Sequence, residues 1–287
     1  MIRPLFPYLW MLLGSLAFAL MSSLASSLST QCDWQIIALA RTSLACLFAA
    51  ILAKAGGAKL IFRGTPMLWV RSLAGSISLA CGFFAFTHLP VSDVITLTNM
   101  FPIWVAVLSW PMLGEIPSRD VWVAMLFGIA GVVVLQQPHL NDGNIASYVA
   151  LFSSFTSGVA LIGLHRLHGM DPRSIVVHFS AVAFMVVLGA LCIFPRKYGL
   201  EALGDPLVIV KLIALGAMAT CGQLLLTLAF ATGQPAKVAV VGLSQVGFGI
   251  VLEILIWHRQ FTWMAMAGIA LVVAPTAWVM TRRAKQA

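Results

Sequence analysis

Ten long apolar runs divide the chain, and that pattern constrains its fold more than any motif does. They cover roughly residues 7–28, 34–54, 66–87, 92–113, 120–136, 146–164, 174–194, 207–230, 236–257 and 262–280. Each approaches the roughly 20 residues that a helix needs to cross a hydrocarbon core about 30 Å thick. Only 9% of the residues are charged and 61% are apolar, so the polar side chains are too few to cover a water-soluble core. The expected fold class is therefore an all-α integral membrane protein with ten transmembrane helices. The connections are short and carry turn chemistry: "GGAK" at 56–59, "HLP" at 88–90, "HLNDGN" at 139–144 and "HGMDP" at 168–172. They leave no room for a soluble domain, so helices and loops must carry the function. Arg3, the first run and the small residues Ala25, Ser26 and Ser27 also fit a signal peptide, but the length of the run favours an uncleaved span.

The net charge of +8 could point to nucleic acid, but no basic patch is interleaved with aromatics. The cations instead follow a topology. With a cytoplasmic N-terminus, that side receives Arg3, Lys54, Lys59, Arg63, Arg119, Arg166, Arg173, Lys237, Arg282, Arg283 and Lys285, and Arg71 lies just inside the third helix on the same side. The other side receives Arg196, Lys197 and Arg259, with Lys211 at the start of the eighth helix. Both termini are therefore expected in the cytoplasm. The five cysteines form no CxxC and have no histidine at metal spacing, so no disulfide, metal or other cofactor is expected.

The two halves of the chain resemble each other. "AFTHLPVSDV" (85–94) lies over "AFATGQPAKV" (229–238) at an offset of 144, and "GIAGVVVL" (128–135) over "GIALVVAP" (268–275) at an offset of 140. A repeat of five helices, an odd number, must be inverted in the membrane. The expected organisation is two inverted five-helix repeats, residues 1–137 and 138–287, the construction of alternating-access carriers with a site near the midplane.

With these residues in place the sequence resembles the drug/metabolite transporter superfamily, in its ten-helix EamA branch. Gly114-Glu115 closes the fourth helix and is followed by "IPSRDVW" and a glycine-containing fifth helix. Arg41 stands in the second helix, where family members often carry an arginine, and "GQLLLTLAFATGQPAKVAVVGLSQVGFGIVLEIL" (222–255) is similar to the family's eighth and ninth helices. The second half departs from the pattern, with Trp257-His258 where Gly-Glu is usual. The resemblance implies a secondary transporter of a small organic metabolite across an inner membrane by alternating access. Export is the commoner direction in the family; an importer or facilitator of the same fold is the alternative.

The polar residues inside the runs are the candidate site. Arg41 lies about three residues, or about 4.5 Å, from the middle of the second helix. A cation at that depth either holds a substrate carboxylate or phosphate in a cavity, or makes a structural pair. Asn99, Gln223 and Gln245 are amides that either bond across helices or line the cavity, with Gln245 nearest the midplane. Pro102 is expected to kink the fourth helix and Trp104 to wall the cavity. Glu253 is either a protonatable coupling group or, the favoured reading, an interfacial residue paired with Arg259. Glu115 reads as a loop-ordering cap and gate, His178 as interfacial, and the serines of the first and sixth helices as packing.

Enzymatic readings fare poorly. No GxSG motif, and no central histidine or aspartate within a span, supports an intramembrane protease, and no acidic metal cluster supports a head-group transferase. No GxxxxGK[ST] loop is present, so ATP hydrolysis by this chain is not expected. The expected partners are a small organic solute and the lipid bilayer, with a homodimer left open and nucleic acid excluded.

Overall fold

A computed structural model describes residues 5–61, 63–138, 145–193, 201–257 and 262–281. Its helices are α1 (Phe6–Leu28), α2 (Trp34–Ala55), α3 (Pro66–His88), α4 (Val91–Thr98), α5 (Phe101–Leu113), α6 (Arg119–Gln136), α7 (Ile145–His165), α8 (Pro172–Ile193), α9 (Pro206–Thr232), α10 (Pro235–Gly242), α11 (Ser244–Trp257) and α12 (Trp263–Thr281). Among the described residues there is no strand, and ten segments are long and apolar enough to span a membrane. The fourth span, Val91–Leu113, is made of α4 and α5, and the ninth, Pro235–Ile256, of α10 and α11.

Local chemistry sets the ends. Pro66, Pro172, Pro206 and Pro235 open their helices, where a missing N–H breaks no helical bond and φ is already suited. The Asp205 carboxylate caps α9 by accepting from the Leu207 N–H at 2.8 Å. α5 ends at Gly114, whose φ of 73° is left-handed. Its N–H donates to the Trp110 carbonyl at 2.8 Å, and the Glu115 N–H reaches back to Ser109 at 3.2 Å. This closure gives Gly114-Glu115 a structural reason, since a side chain at position 114 would be strained.

The outward surface is apolar: Leu126 is 60% exposed, Met185 63% and Leu255 67%. In water such a surface would aggregate, whereas lipid solvates it. Many hydroxyls on the spans turn back to their own helices, as Thr42 does to the Ala38 carbonyl (2.9 Å) and Thr276 to Val272 (2.8 Å).

The main packing joins the two halves of the chain: α1 lies on α9, α3 on α7, α2 on α8 and α6 on α12. Small residues allow the closest approaches, since apolar lipid supplies no hydrophobic drive between helices. Where α6 crosses α12, a Cβ at Gly131 would stand 3.0 Å from the Gly268 carbonyl oxygen. Between α3 and α7, Ser78 Oγ donates to the Ser153 carbonyl at 3.0 Å while Ser153 Oγ donates to the Ser78 carbonyl at 2.8 Å. Ser157 Oγ sits 2.6 Å from Ser78 Oγ.

Candidate functional site

Two helix interruptions lie at matching positions of the two halves. In the fourth span the helix stops after Thr98 and restarts at Phe101. Pro102 has no N–H for the Thr98 carbonyl, and the Ile103 N–H donates to Met100, three residues back, at 3.0 Å. In the ninth span the interruption is Leu243, whose N–H donates to Val240, and the Val246 N–H donates to Leu243 (both 3.1 Å). Leu243 is the counterpart of Asn99 at the repeat offset of 144, so both halves break at the same place. The breaks also meet, because a Cβ on Gly242 would stand 3.3 Å from the Phe101 ring. Discontinuous helices at matching positions of two halves are the usual construction of a carrier's midplane site.

The sequence-predicted residues fall around these breaks in different settings. Asn99 ends α4, and its Nδ2 donates to the Ile95 carbonyl at 2.8 Å, so the amide caps its own helix. Pro102 is the second residue of α5. Trp104 faces α7: its Nε1 donates to Ser154 Oγ at 2.9 Å and its ring meets Phe155 edge-on at 5.3 Å. Gln245 follows the second break, half-buried and with no hydrogen bond among the described residues. Beside it the Ser244 hydroxyl is buried without a partner among the described residues. Arg41 is half-buried on α2 with no hydrogen bond or ion pair among the described residues. It lies two turns from Trp34, whose ring stacks on Phe83 of α3 at 5.2 Å. Glu115 is exposed. Glu253 is half-buried on α11, and Arg259 lies outside the described residues.

Gln223 is brought against Arg71, which the sequence reading used only to mark topology. Arg71 is 4% exposed, and its Nη2 donates to Gln223 Oε1 at 3.3 Å. Its guanidinium lies over the Phe179 ring of α8, 4.3 Å from the centroid. One turn on in α3 is Gly75, whose missing side chain leaves room for the guanidinium. The neighbouring Ser72 Oγ is 2.7 Å from His178 Nδ1, and Trp69 meets the His178 ring edge-on at 4.7 Å. His178, expected at the interface, is thus buried between α3 and α8 at 5% exposure. Lys237, counted with the cytoplasmic loops, is buried too, at 8% in α10, where the Asp120 charge at the start of α6 acts on it. The sequence signal for Arg71 is an Arg in the first turns of a span with a Gly four residues on.

The family model for EamA-like transporters matches residues 5–136 and again residues 144–281. The chain belongs to this family. It is a multi-pass membrane transporter of the drug/metabolite transporter type with a duplicated fold, and not an enzyme. The transporter is similar to the pseudopaline exporter CntI of Pseudomonas aeruginosa, 27% identical over 280 residues, which cover 94% of this chain and 95% of the relative. It is also similar to mouse solute carrier family 35 member G1, 22% identical over 75% of this chain and 62% of the relative. The riboflavin transporter of Vibrio cholerae is 27% identical over 61% of each chain. A solved crystal structure superposes with a TM-score of 0.81 at 18% identity, covering 96% of this chain and 97% of the other, which supports the fold.

Proposed function

We propose that this chain is a secondary carrier that exports a small organic metabolite across a bacterial inner membrane by alternating access. Its two inverted repeats, residues 1–137 and 138–287, rock about the paired helix breaks, with both termini in the cytoplasm. The observation that carries this reading is the unequal burial of two equivalent helices. α4 (91–98) and α10 (235–242) correspond at the repeat offset. Every residue of α10 is buried, whereas α4 begins at Val91 with 59% exposure. One end is sealed and the other is looser, as a carrier with two exchangeable gates requires. Export is supported by the likeness to a pseudopaline exporter over nearly the whole of both chains.

Arg41, Gln245, Gln223, Asn99 and Trp104 are proposed to contact the solute as the breaks open. Glu253 is assigned to the membrane interface, and Glu115 to the gate-side loop. Liposomes holding the purified protein and a metabolite extract test the carrier reading. Mass spectrometry of the released solutes is expected to show a restricted, saturable set whose release is accelerated by the same solute outside. Release that matches protein-free liposomes, or that rises linearly with concentration as through a pore, refutes it. Release accelerated by an imposed pH gradient would return Glu253 to a coupling role.

A further inference from the structure

We propose that Arg71, with Gln223, is the anchor for an oxyanion, a carboxylate or phosphate, on the carried solute; this rests on the carrier reading above. A guanidinium has five N–H donors in a planar fork. Here one of them meets a single neutral acceptor, Gln223 Oε1, at 3.3 Å. The Nε is buried and has no hydrogen-bond partner among the described residues, and Arg71 forms no ion pair among them. The Phe179 face satisfies the cation from one side only. An arginine kept for structure alone is expected to take a carboxylate or several carbonyls at this burial, since a buried charge without a counter-charge opposes folding. The oxygens of a carboxylate or phosphate match the unsatisfied Nε and the guanidinium N–H groups that Gln223 does not take. Gln223 accepts through Oε1, so its amide nitrogen, which donates to nothing among the described residues, is left as a further donor.

The location suits a carried ligand. Arg71 stands on α3 of the first half, whereas Phe179 and Gln223 stand on α8 and α9 of the second. The guanidinium therefore lies across the junction that parts and closes during alternating access. It is covered in this arrangement and becomes reachable when α3 separates from α8 and α9. Gly75 is part of the site, because a Cβ there would collide with Nη1 of Arg71 and stand 2.9 Å from Phe179.

Thermal unfolding of the full chain in detergent is measured with malonate, citrate or inorganic phosphate, each against sodium chloride of equal ionic strength. The same is done for Arg71→Lys and Arg71→Gln. At least one oxyanion is expected to raise the midpoint of the wild type, with the carboxylates and phosphate separating the two sources. Arg71→Lys, a point charge without the fork, is expected to weaken apparent affinity at least tenfold, and Arg71→Gln to abolish the shift. An oxyanion that shifts wild type and Arg71→Gln alike overturns the proposal, and so does a wild type that none of the three shifts. A second arm uses Gly75→Ala, which changes neither Arg71 nor Gln223 but crowds the guanidinium, in the liposome release assay. Release of acidic solutes is expected to fall at least tenfold, and by clearly more than release of neutral solutes. Equal loss of both, or of neither, removes Arg71 and Gly75 from the site while the carrier reading stands. Release of nothing by the wild type overturns the carrier reading itself.

Discussion

Lys237 gives the sharpest test of how the sealed end is held. It is the third residue of α10, where the N-terminal end of a helix disfavours a cation by about 0.3–1 kcal/mol, and more when partly buried. At 8% exposure the ammonium also loses hydration, an effective penalty of several kcal/mol that an opposite charge repays in part. Asp120, in the first turn of α6, supplies that charge from the other side of the contact. The two substitutions therefore act in opposite directions. Lys237→Met removes the unfavourable cation and keeps the apolar stem, so the sealed arrangement should gain about 2 kcal/mol, roughly thirtyfold. Asp120→Asn leaves the cation buried and poorly matched. It should weaken the sealed arrangement by about 1–2 kcal/mol, discounted because Asp120 is itself partly exposed. The readout is the rate at which a polar maleimide labels Ala239→Cys, a position 0% exposed on α10, in a background lacking the five natural cysteines. Lys237→Met should slow labelling about thirtyfold and Asp120→Asn should speed it about tenfold. Shifts in the same direction, or no shift in two folded variants, would refute the assignment.

Three further outcomes follow from the packing. Gly131→Ala, whose Cβ would meet Val272 at 2.8 Å and the Gly268 carbonyl at 3.0 Å, should destabilise the α6–α12 contact by about 1–3 kcal/mol, read as a lower unfolding midpoint. Gly114→Ala meets no atom within 4 Å but forces a side chain into φ 73°, so it should cost about 1–2 kcal/mol of stability and leave the set of released solutes unchanged. Cys32, in the α1–α2 connection, has its thiol raised by burial and, second, by the Asp33 charge. Less thiolate is then present at a given pH, so at pH 8 it should react with maleimide about tenfold more slowly in the folded protein than after unfolding.

The spans were legible because membrane length and apolarity are properties of the sequence itself. What lay beyond reach was how the spans are interrupted and which side chains meet. Pro102 announced a disturbance in the fourth span, and the structure turns it into a full break at Asn99 and Met100. The ninth span has no proline at its break: α10 stops at Leu243 between Gly242 and Ser244, two weak helix formers that are common in spans and so give only a faint local signal. Gln223 was visible as an intramembrane amide, but its partner Arg71 is 152 positions away on a helix from the other half. Trp104 looked equally suited to line a cavity, yet its indole N–H is bonded to α7. Residue type shows that a polar group needs satisfying at depth; only the packing shows which neighbour satisfies it.

The repeat offset that aligns α4 with α10 also places Asp93 opposite Lys237 in the alignment, an acid and a base at one structural slot. Both are buried in the first turn of a short helix, at 1% and 8% exposure. The anion is in the favourable position for a helix N-terminus and the cation in the unfavourable one. On the carrier reading, two gates built from the same element close with different energies, and the burial of Lys237 in α10 is offset by Asp120, which lies on another helix. A carrier whose two ends were equally and strongly sealed would be trapped in one state. A gate that closes against an unfavourable charge and needs α6 to offset it can be released by a movement of α6 alone. On the carrier reading proposed above, the α10 end is the gate whose opening sets the exchange between states, and its control resides at the α6–α10 contact, away from the helix breaks.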